Sequence, residues 1–274
     1  MKITKFFLVS ILILLNTSCF NSKKDGFKIN GKTMGTYYII NVVDPPKNIS
    51  KEKLKIEVFN TLKEINKKLS NWDNSSEVNF FNKSKTLLPV SVSEDLFNVI
   101  HASNLIHIKS EGFFDITIDP LIELWGFGYT NKKKKVPSDI EIKNALKLVD
   151  QSKVLQLNPE DLSITKSNQD VSVNLSSIAK GYGIDIIGKK LKKLGIKNYL
   201  IDIGGDILTK GQNKIDKDWV IGIENPNLNK RLIKEIVNIT DKGIATSGDY
   251  KNFYEENGVQ YSHILNPNSG KPII

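Results

Sequence analysis

Residues 154–206 read VLQLNPEDLSITKSNQDVSVNLSSIAKGYGIDIIGKKLKKLGIKNYLIDIGGD. Three short runs rich in β-formers, 154–157, 162–166 and 171–175, follow one another with no helix between them. A helical stretch over 181–194 comes next, its lysines outward, and then a strand over 199–203. Strand and helix do not alternate regularly. The order therefore predicts an α+β fold with mixed or antiparallel sheets and flanking helices, not a doubly wound sheet. On the N-terminal side, 37–43 reads as a strand. Ser50 caps a long helix over 51–69, with Leu54, Val58, Leu62, Ile65 and Leu69 on one face. Ser93 opens a second helix over 94–110, with Leu96, Val99, Ile100, Ser103 and Ile106 inward. Ser138 and Glu141 form a capping-box pattern at the start of a third, 139–148. On the C-terminal side, 219–223, 235–239 and 261–265 read as strands. No GxGxxG follows a strand and no Walker loop occurs, so neither common nucleotide fold is signalled.

The N-terminus speaks to compartment. Lys2 and Lys5 precede an uncharged, mostly apolar run over 6–15, too short to span a bilayer, and 1–18 reads as a signal peptide. Cys19 is the only cysteine, so no internal disulfide can form. It stands behind the small residue Ser18, as in a bacterial lipobox, although Asn16 occupies a place where an apolar residue is usual. The expectation is a lipid-anchored protein on the periplasmic side of the inner membrane. Residues 19–26 would be a polar tether and 27–274 one domain. The formal charge of +9 falls to +7 once Lys2 and Lys5 leave with the signal. Spread over this length, +7 favours acidic ligands only weakly. The run Lys132 to Lys135 reads as a solvated loop, and without interleaved aromatics or zinc-finger spacings no nucleic-acid partner is expected.

Five stretches break the local pattern. Thr33-Met34-Gly35-Thr36 offers a glycine for close backbone approach and a methionine that can pack on a flat ring. Trp72 stands at a polar helix exit, where it could stack on an aromatic ligand. Gly112-Phe113-Phe114-Asp115 sets a carboxylate among aromatics, ahead of Leu124-Trp125-Gly126-Phe127-Gly128. Asn174 to Tyr182 runs a strand into a helix through small residues, with Lys180 near a helix N-terminus suited to phosphate. Thr246-Ser247-Gly248 suits an anion nest, and His263 follows among polar neighbours. Each stretch also has a plainer reading. Met34 could sit at a tight turn as a core residue, and Trp72 could plug a gap between elements. Asp115 could be satisfied by backbone donors, and 176–182 could be an ordinary capped helix. His101 and His107, on the second helix, are assigned no role.

Taken together, the stretches are more specific than any one of them. TMGTYY, LSNW with SEVNFFN, GFFDITIDPLIELWGFG, NLSSIAKGYGID, YLIDIGGD and ATSGDYKNFYEENGVQYSHILNPNSGKP span residues 33–272. In order and content the sequence resembles the ApbE family of FAD:protein FMN transferases. The resemblance implies a two-lobed α+β fold. It also implies a reaction in which the FMN half of FAD passes to a Thr or Ser of an acceptor protein as a phosphoester, with release of AMP and dependence on magnesium. By motif position, Met34, Trp72, Phe113, Phe114, Asp115, Asn174 and Lys180 would line the FAD site. Asn174 falls where the family pattern usually has Asp, so its contact is kept as a neutral hydrogen bond. Ser177 would give magnesium an oxygen, and His263 would be the base. Family members continue beyond GKP into a segment that completes the magnesium site, so the expectation for the 274 residues alone is slow turnover. Two other activities fit the same residues: hydrolysis of FAD by water, and FAD binding without turnover.

Overall fold

Ser50 accepts a hydrogen bond from Lys53 N and opens α1, Lys51–Leu69, as its sequence predicts. The inward stripe of α1 divides between two cores. Leu54, Val58 and Leu62 belong to one, Ile65 and Leu69 to the other. The computed structural model describes residues 24–130, 133–225, 232–248 and 252–273. Cys19 and the expected signal segment lie outside them. Gly26, expected in the tether, is instead the first residue of a strand.

The first core lies beneath a five-stranded antiparallel sheet. Its strands, in spatial order, are β1 (Gly26–Thr33), β2 (Thr36–Val43), β6 (Asn198–Ile203), β7 (Asp206–Lys210) and β10 (Gly243–Ile244). One face packs Ile40, Ile201 and Ile203 against α1 and against α7, Ala179–Lys193, through Ile184, Ile187 and Leu191. On the other face Val43 and Leu200 meet Trp219 and Ile221 of a hairpin formed by β8 (Trp219–Glu224) and β9 (Ile233–Ile239).

The second core gathers the end of α1, α2 (Glu77–Lys83) and α3 (Glu94–Lys109). A three-stranded antiparallel sheet joins them: β3 (Val90–Ser91), β5 (Ser163–Lys166) and β4 (Leu155–Asn158). Ile106, expected inward on α3, is 41% exposed, and His107 is buried in its place. The stripe Leu96, Ile100, Ser103 advances by helical steps of three and four, and its next member is residue 107.

Residues 171–175, expected to be a strand, are irregular. Val171, Val173 and Leu175 are all fully buried, so the alternation is real, yet among the described residues no strand pairs with them. Side chains take the strand's place. Asn82 Oδ1 accepts from Val173 N at 2.9 Å, and Asn71 Oδ1 from Leu175 N at 2.8 Å. The Nδ2 groups of both asparagines donate to Val173 O.

A smaller core seats the C-terminal part. The 3₁₀ turn Ile116–Ile118 leads into α4, Asp119–Leu124; α5, Asp139–Leu146, opens with the expected Ser138–Glu141 capping box, and the single turn α6, Gln151–Val154, follows. Leu121, Trp125 and Phe127 pack with Leu265, Tyr254 and Tyr261. The tyrosines belong to a hairpin of β11 (Phe253–Glu256) and β12 (Val259–Ser262). His263, expected inside a strand, follows β12 directly. Its backbone N–H donates to Asn252 O at 3.1 Å. All described strand pairs are antiparallel, and helices flank the sheets, as an α+β fold requires.

Candidate functional site

Two hairpin tips lie side by side at one end of the five-stranded sheet, because β2 pairs with β6. The β1–β2 tip is Met34-Gly35, at φ of 48° and 69°. The β6–β7 tip is Gly204-Gly205, at 58° and 93°. Glycine suits such angles, and at Gly204 a Cβ would lie 2.7 Å from Thr36 Cγ2. Met34 has no such freedom, and its left-handed backbone costs about 1 kcal/mol or more. The side chain packs against both cores. Gly183 of α7 leaves room for it, since a Cβ there would stand 3.0 Å from Met34 Cε.

These tips border a cavity of about 550 Å³, which Trp72, Ser176, Lys180 and His263 also line. A second cavity of about 470 Å³ is lined by Phe113, Phe114, Asp115, Asn174, Ser177 and Thr246. Ser176, Lys180 and His263 line both, so the two form one continuous cleft. All nine residues named from the sequence as FAD, metal or base positions thus fall on this cleft.

The aromatics stand at its margins. Trp72 and Phe113 are each 64% exposed, open enough for a flat ligand to stack on either. Asn71, beside Trp72 in the chain, is buried and bonded to Val173 and Leu175, which anchors the backbone there. Phe114 turns partly inward, its N–H donating to Ser110 Oγ at 2.9 Å. His107 Nδ1 donates to its carbonyl at 2.8 Å.

The carboxylate of Asp115 does not face the cleft as a free handle. Oδ1 accepts from Thr117 N at 2.7 Å and Thr117 Oγ1 at 2.5 Å. Oδ2 accepts from Asp150 N at 3.1 Å and Gln151 N at 3.0 Å. Four donors hold it, and it organises the wall that carries Phe113 and Phe114. Asn174 is similarly engaged. Its N–H donates to Ile116 O at 2.7 Å, its Nδ2 donates to Asp119 Oδ1 at 3.1 Å, and its Oδ1 accepts from Ser176 N at 3.1 Å.

Charge enters at the seam. Helix α7 begins without a side-chain cap, so its first turn faces the cleft with a positive dipole end. Lys180 sits in that turn, 3.0 Å from Asp206 Oδ2. Nearby, burial pushes the Asp202 carboxyl above the usual range, while a hydrogen bond from Gly205 N at 2.9 Å opposes this. His263 lies at the same seam. Its Nδ1 lies 3.0 Å from Asn252 O, and a carbonyl only accepts. The proton of the neutral ring is therefore on Nδ1, which leaves Nε2 bare as an acceptor.

The cleft is thus flanked by aromatics, with an uncapped helix end and an imidazole whose Nε2 is bare between its two halves. Residues 34–274 match the family model described as ApbE family. The chain belongs to the ApbE family. It is 36% identical over 266 residues to the FAD:protein FMN transferase of Vibrio cholerae, covering 97% of this chain and 79% of that protein. To the FAD:protein FMN transferase of Haemophilus influenzae it is 33% identical, covering 97% and 78%. Among solved structures, flavin transferase ApbE from Vibrio cholerae matches with a TM-score of 0.83 at 34% identity, covering 92% of this chain and 79% of that one.

Within this ApbE fold, several cleft residues carried no readable signal. Asn252 acts through a backbone carbonyl, which any residue possesses. Asp119 lies behind the wall and shows its part only through Asn174. Asp206 closes the motif YLIDIGGD, but its pairing with Lys180 depends on how β7 meets α7. Magnesium fits less well than the organic ligand. Among the described residues, no group of three or more His, Cys, Asp or Glu is placed to hold a metal ion. Ser177 is exposed and could offer one oxygen, while the nearby Asp206 carboxylate is engaged by Lys180. Magnesium usually wants near-octahedral oxygen ligation, more than these side chains offer.

Proposed function

We propose that this chain transfers the FMN half of FAD to a Thr or Ser hydroxyl of an acceptor protein and releases AMP. The observation that carries the reading is the seam of the cleft. Lys180 and the first turn of α7 lie beside His263, whose bare Nε2 can take a proton, between two cavities bordered by exposed aromatics. Such a cleft suits an elongated ligand with a flat ring at one end and a diphosphate in the middle.

The residues divide the work. Trp72, Met34, Phe113 and Phe114 hold the aromatic parts. Lys180 and the helix end attract the diphosphate. His263 Nε2 accepts the acceptor's hydroxyl proton as that oxygen attacks the FMN-side phosphorus. The new P–O bond forms while the bond to the AMP phosphate breaks, and AMP leaves with that electron pair. Were magnesium bound, Ser177 Oγ would give it one protein oxygen, and the ion would supply charge neutralisation at the diphosphate. We further propose that residues 1–18 are removed, that Cys19 carries lipid, and that residues 27–274 act at the periplasmic face of the inner membrane. Among the described residues, no helix is long and apolar enough to cross a membrane.

The test of the chemistry is AMP release from FAD, followed with and without acceptor protein and with and without a chelator. Release that needs both acceptor and magnesium is the expected result. Release without acceptor would mean hydrolysis, and no release would leave only binding. For the anchor, labelled fatty acid should enter the unaltered chain and not Cys19→Ser; equal labelling of both would remove Cys19 from the proposal.

A further inference from the structure

Behind the cleft wall lies a buried carboxylate that the reaction does not touch. Asp119, the first residue of α4, is 2% exposed and lines neither cavity. Its Oδ2 accepts from Ser172 Oγ at 2.7 Å and its Oδ1 from Asn174 Nδ2 at 3.1 Å. On the other side of the same amide, Ser176 N donates to Asn174 Oδ1 at 3.1 Å. These two partners leave the amide no choice of orientation. A carboxylate accepts, so the NH₂ end must face Asp119. A backbone N–H only donates, so the oxygen end must face Ser176.

The surroundings explain why such a device is needed here. Among the described residues no strand pairs with 171–175, and side-chain amides fix them instead. Asn71 and Asn82 bond to Val173 and Leu175 from within. Asn174 lines the cleft though only 8% exposed, so the orientation of its amide sets the polarity of that part of the wall. An amide free to flip would exchange acceptor for donor at that spot, and a ring edge recognised by one orientation is rejected by the other.

We infer that Asp119 is a positioning residue for FAD, locking the Asn174 amide in the one orientation that the ligand reads. The inference rests on the flavin reading of the cleft. It makes a specific demand on substitutions. Asp119→Leu removes the acceptor and should free the amide. Asp119→Asn keeps an oxygen that can face Asn174, and should be nearly neutral. Asn174→Asp sets two carboxylates against each other. Adding Asp119→Asn to Asn174→Asp should then help, because an amide at 119 can turn to donate to a carboxylate at 174.

The experiment is a titration of FAD binding, with steady-state AMP release in parallel, below the melting temperature of every variant. Asp119→Leu and Asn174→Asp should each raise the KM for FAD about tenfold with kcat within about twofold, the size expected for one mispaired polar group. Asp119→Asn should stay within about twofold of the unaltered chain, and the double variant should recover most of what Asn174→Asp loses. The split separates the two roles: lost positioning raises KM with kcat kept, whereas a merely structural loss lowers the folded fraction and so the apparent kcat, with KM unchanged. If Asp119→Leu fails to fold, the comparison of Asn174→Asp with the double variant decides. Should the double variant bind no better than Asn174→Asp, or a folded Asp119→Leu bind FAD normally, the inference is overturned while the flavin reading stands. Failure of the unaltered chain to bind FAD would overturn both.

Discussion

The Met34-Gly35 and Gly204-Gly205 tips are fixed by continuous backbone ladders through β1, β2, β6 and β7. Residues 171–177, elsewhere in the same cleft, pair with no strand among the described residues and are held by the side chains of Asn71, Asn82, Asp119 and Lys166. A ladder spreads its hydrogen bonds over many residues, any of which can change its side chain and keep its backbone groups. A wall held by side chains concentrates the same function in a few positions, and each is then indispensable. The cleft joins the two kinds of construction, with Lys180 and His263 at the seam.

The largest expected effect lies at that seam. His263→Ala should slow AMP release by roughly 100- to 10,000-fold, the range for loss of a general base, with FAD affinity close to normal. Stopped-flow rates and a binding titration check this; an unchanged rate would move the base elsewhere, with Asp206 the next candidate. Next in size, Asn82→Ala should destabilise by about 2 to 3 kcal/mol, since it leaves the buried Val173 N–H unpaired. Lys32→Ala, on an exposed position of β1, should stay within about 0.5 kcal/mol. Urea unfolding of both would break the comparison if the two costs were equal.

Smaller still, Trp72→Ala should weaken FAD binding by about 1 to 2 kcal/mol, as lost stacking and burial imply. Isothermal titration with unchanged affinity would take Trp72 out of the site. The smallest effect concerns Lys166, whose ammonium is wrapped by the carbonyls of Phe81, Asn82, Ser84, Gln169 and Val171. Burial pushes it down to about 8 from its ordinary 10.5. Below pH 8 the folded and unfolded chains are both protonated there. Between that value and 10.5 the unfolded chain holds the extra proton, so this group's contribution to stability rises with pH. Relative to Lys166→Met, the unaltered chain should gain about 1 kcal/mol across that window, less than the shift alone implies because the carbonyls favour the ammonium. A flat or falling difference would mean that the carbonyl cage outweighs burial.

The same division governs what could be read from the sequence. The ladder half was largely legible. Ser50 and the stripe from Leu54 to Leu69 placed α1, and β-formers placed β2 and β6, because cap chemistry and periodicity are local. The weak strand β1 was not, since Lys and Gly dilute its alternation. In the other half, Val171, Val173 and Leu175 alternate like a strand, and only the asparagines that pair with them, distant in sequence, show otherwise. His107 carried no signal beyond its helical position, though it supports Phe114. The cleft residues emerged from the family motifs. Whether a carboxylate such as Asp115 is free or already satisfied depends on donors at Asp150 and Gln151, about thirty-five residues away.

The account stands most directly on the fate of the flavin. The decisive measurement is intact-mass spectrometry of an acceptor protein incubated with this chain, FAD and magnesium, followed by peptide mapping. The acceptor should gain one FMN on a Thr or Ser hydroxyl, with one AMP released for each, and His263→Ala should nearly abolish the gain. AMP appearing in full while the acceptor's mass stays unchanged would contradict it.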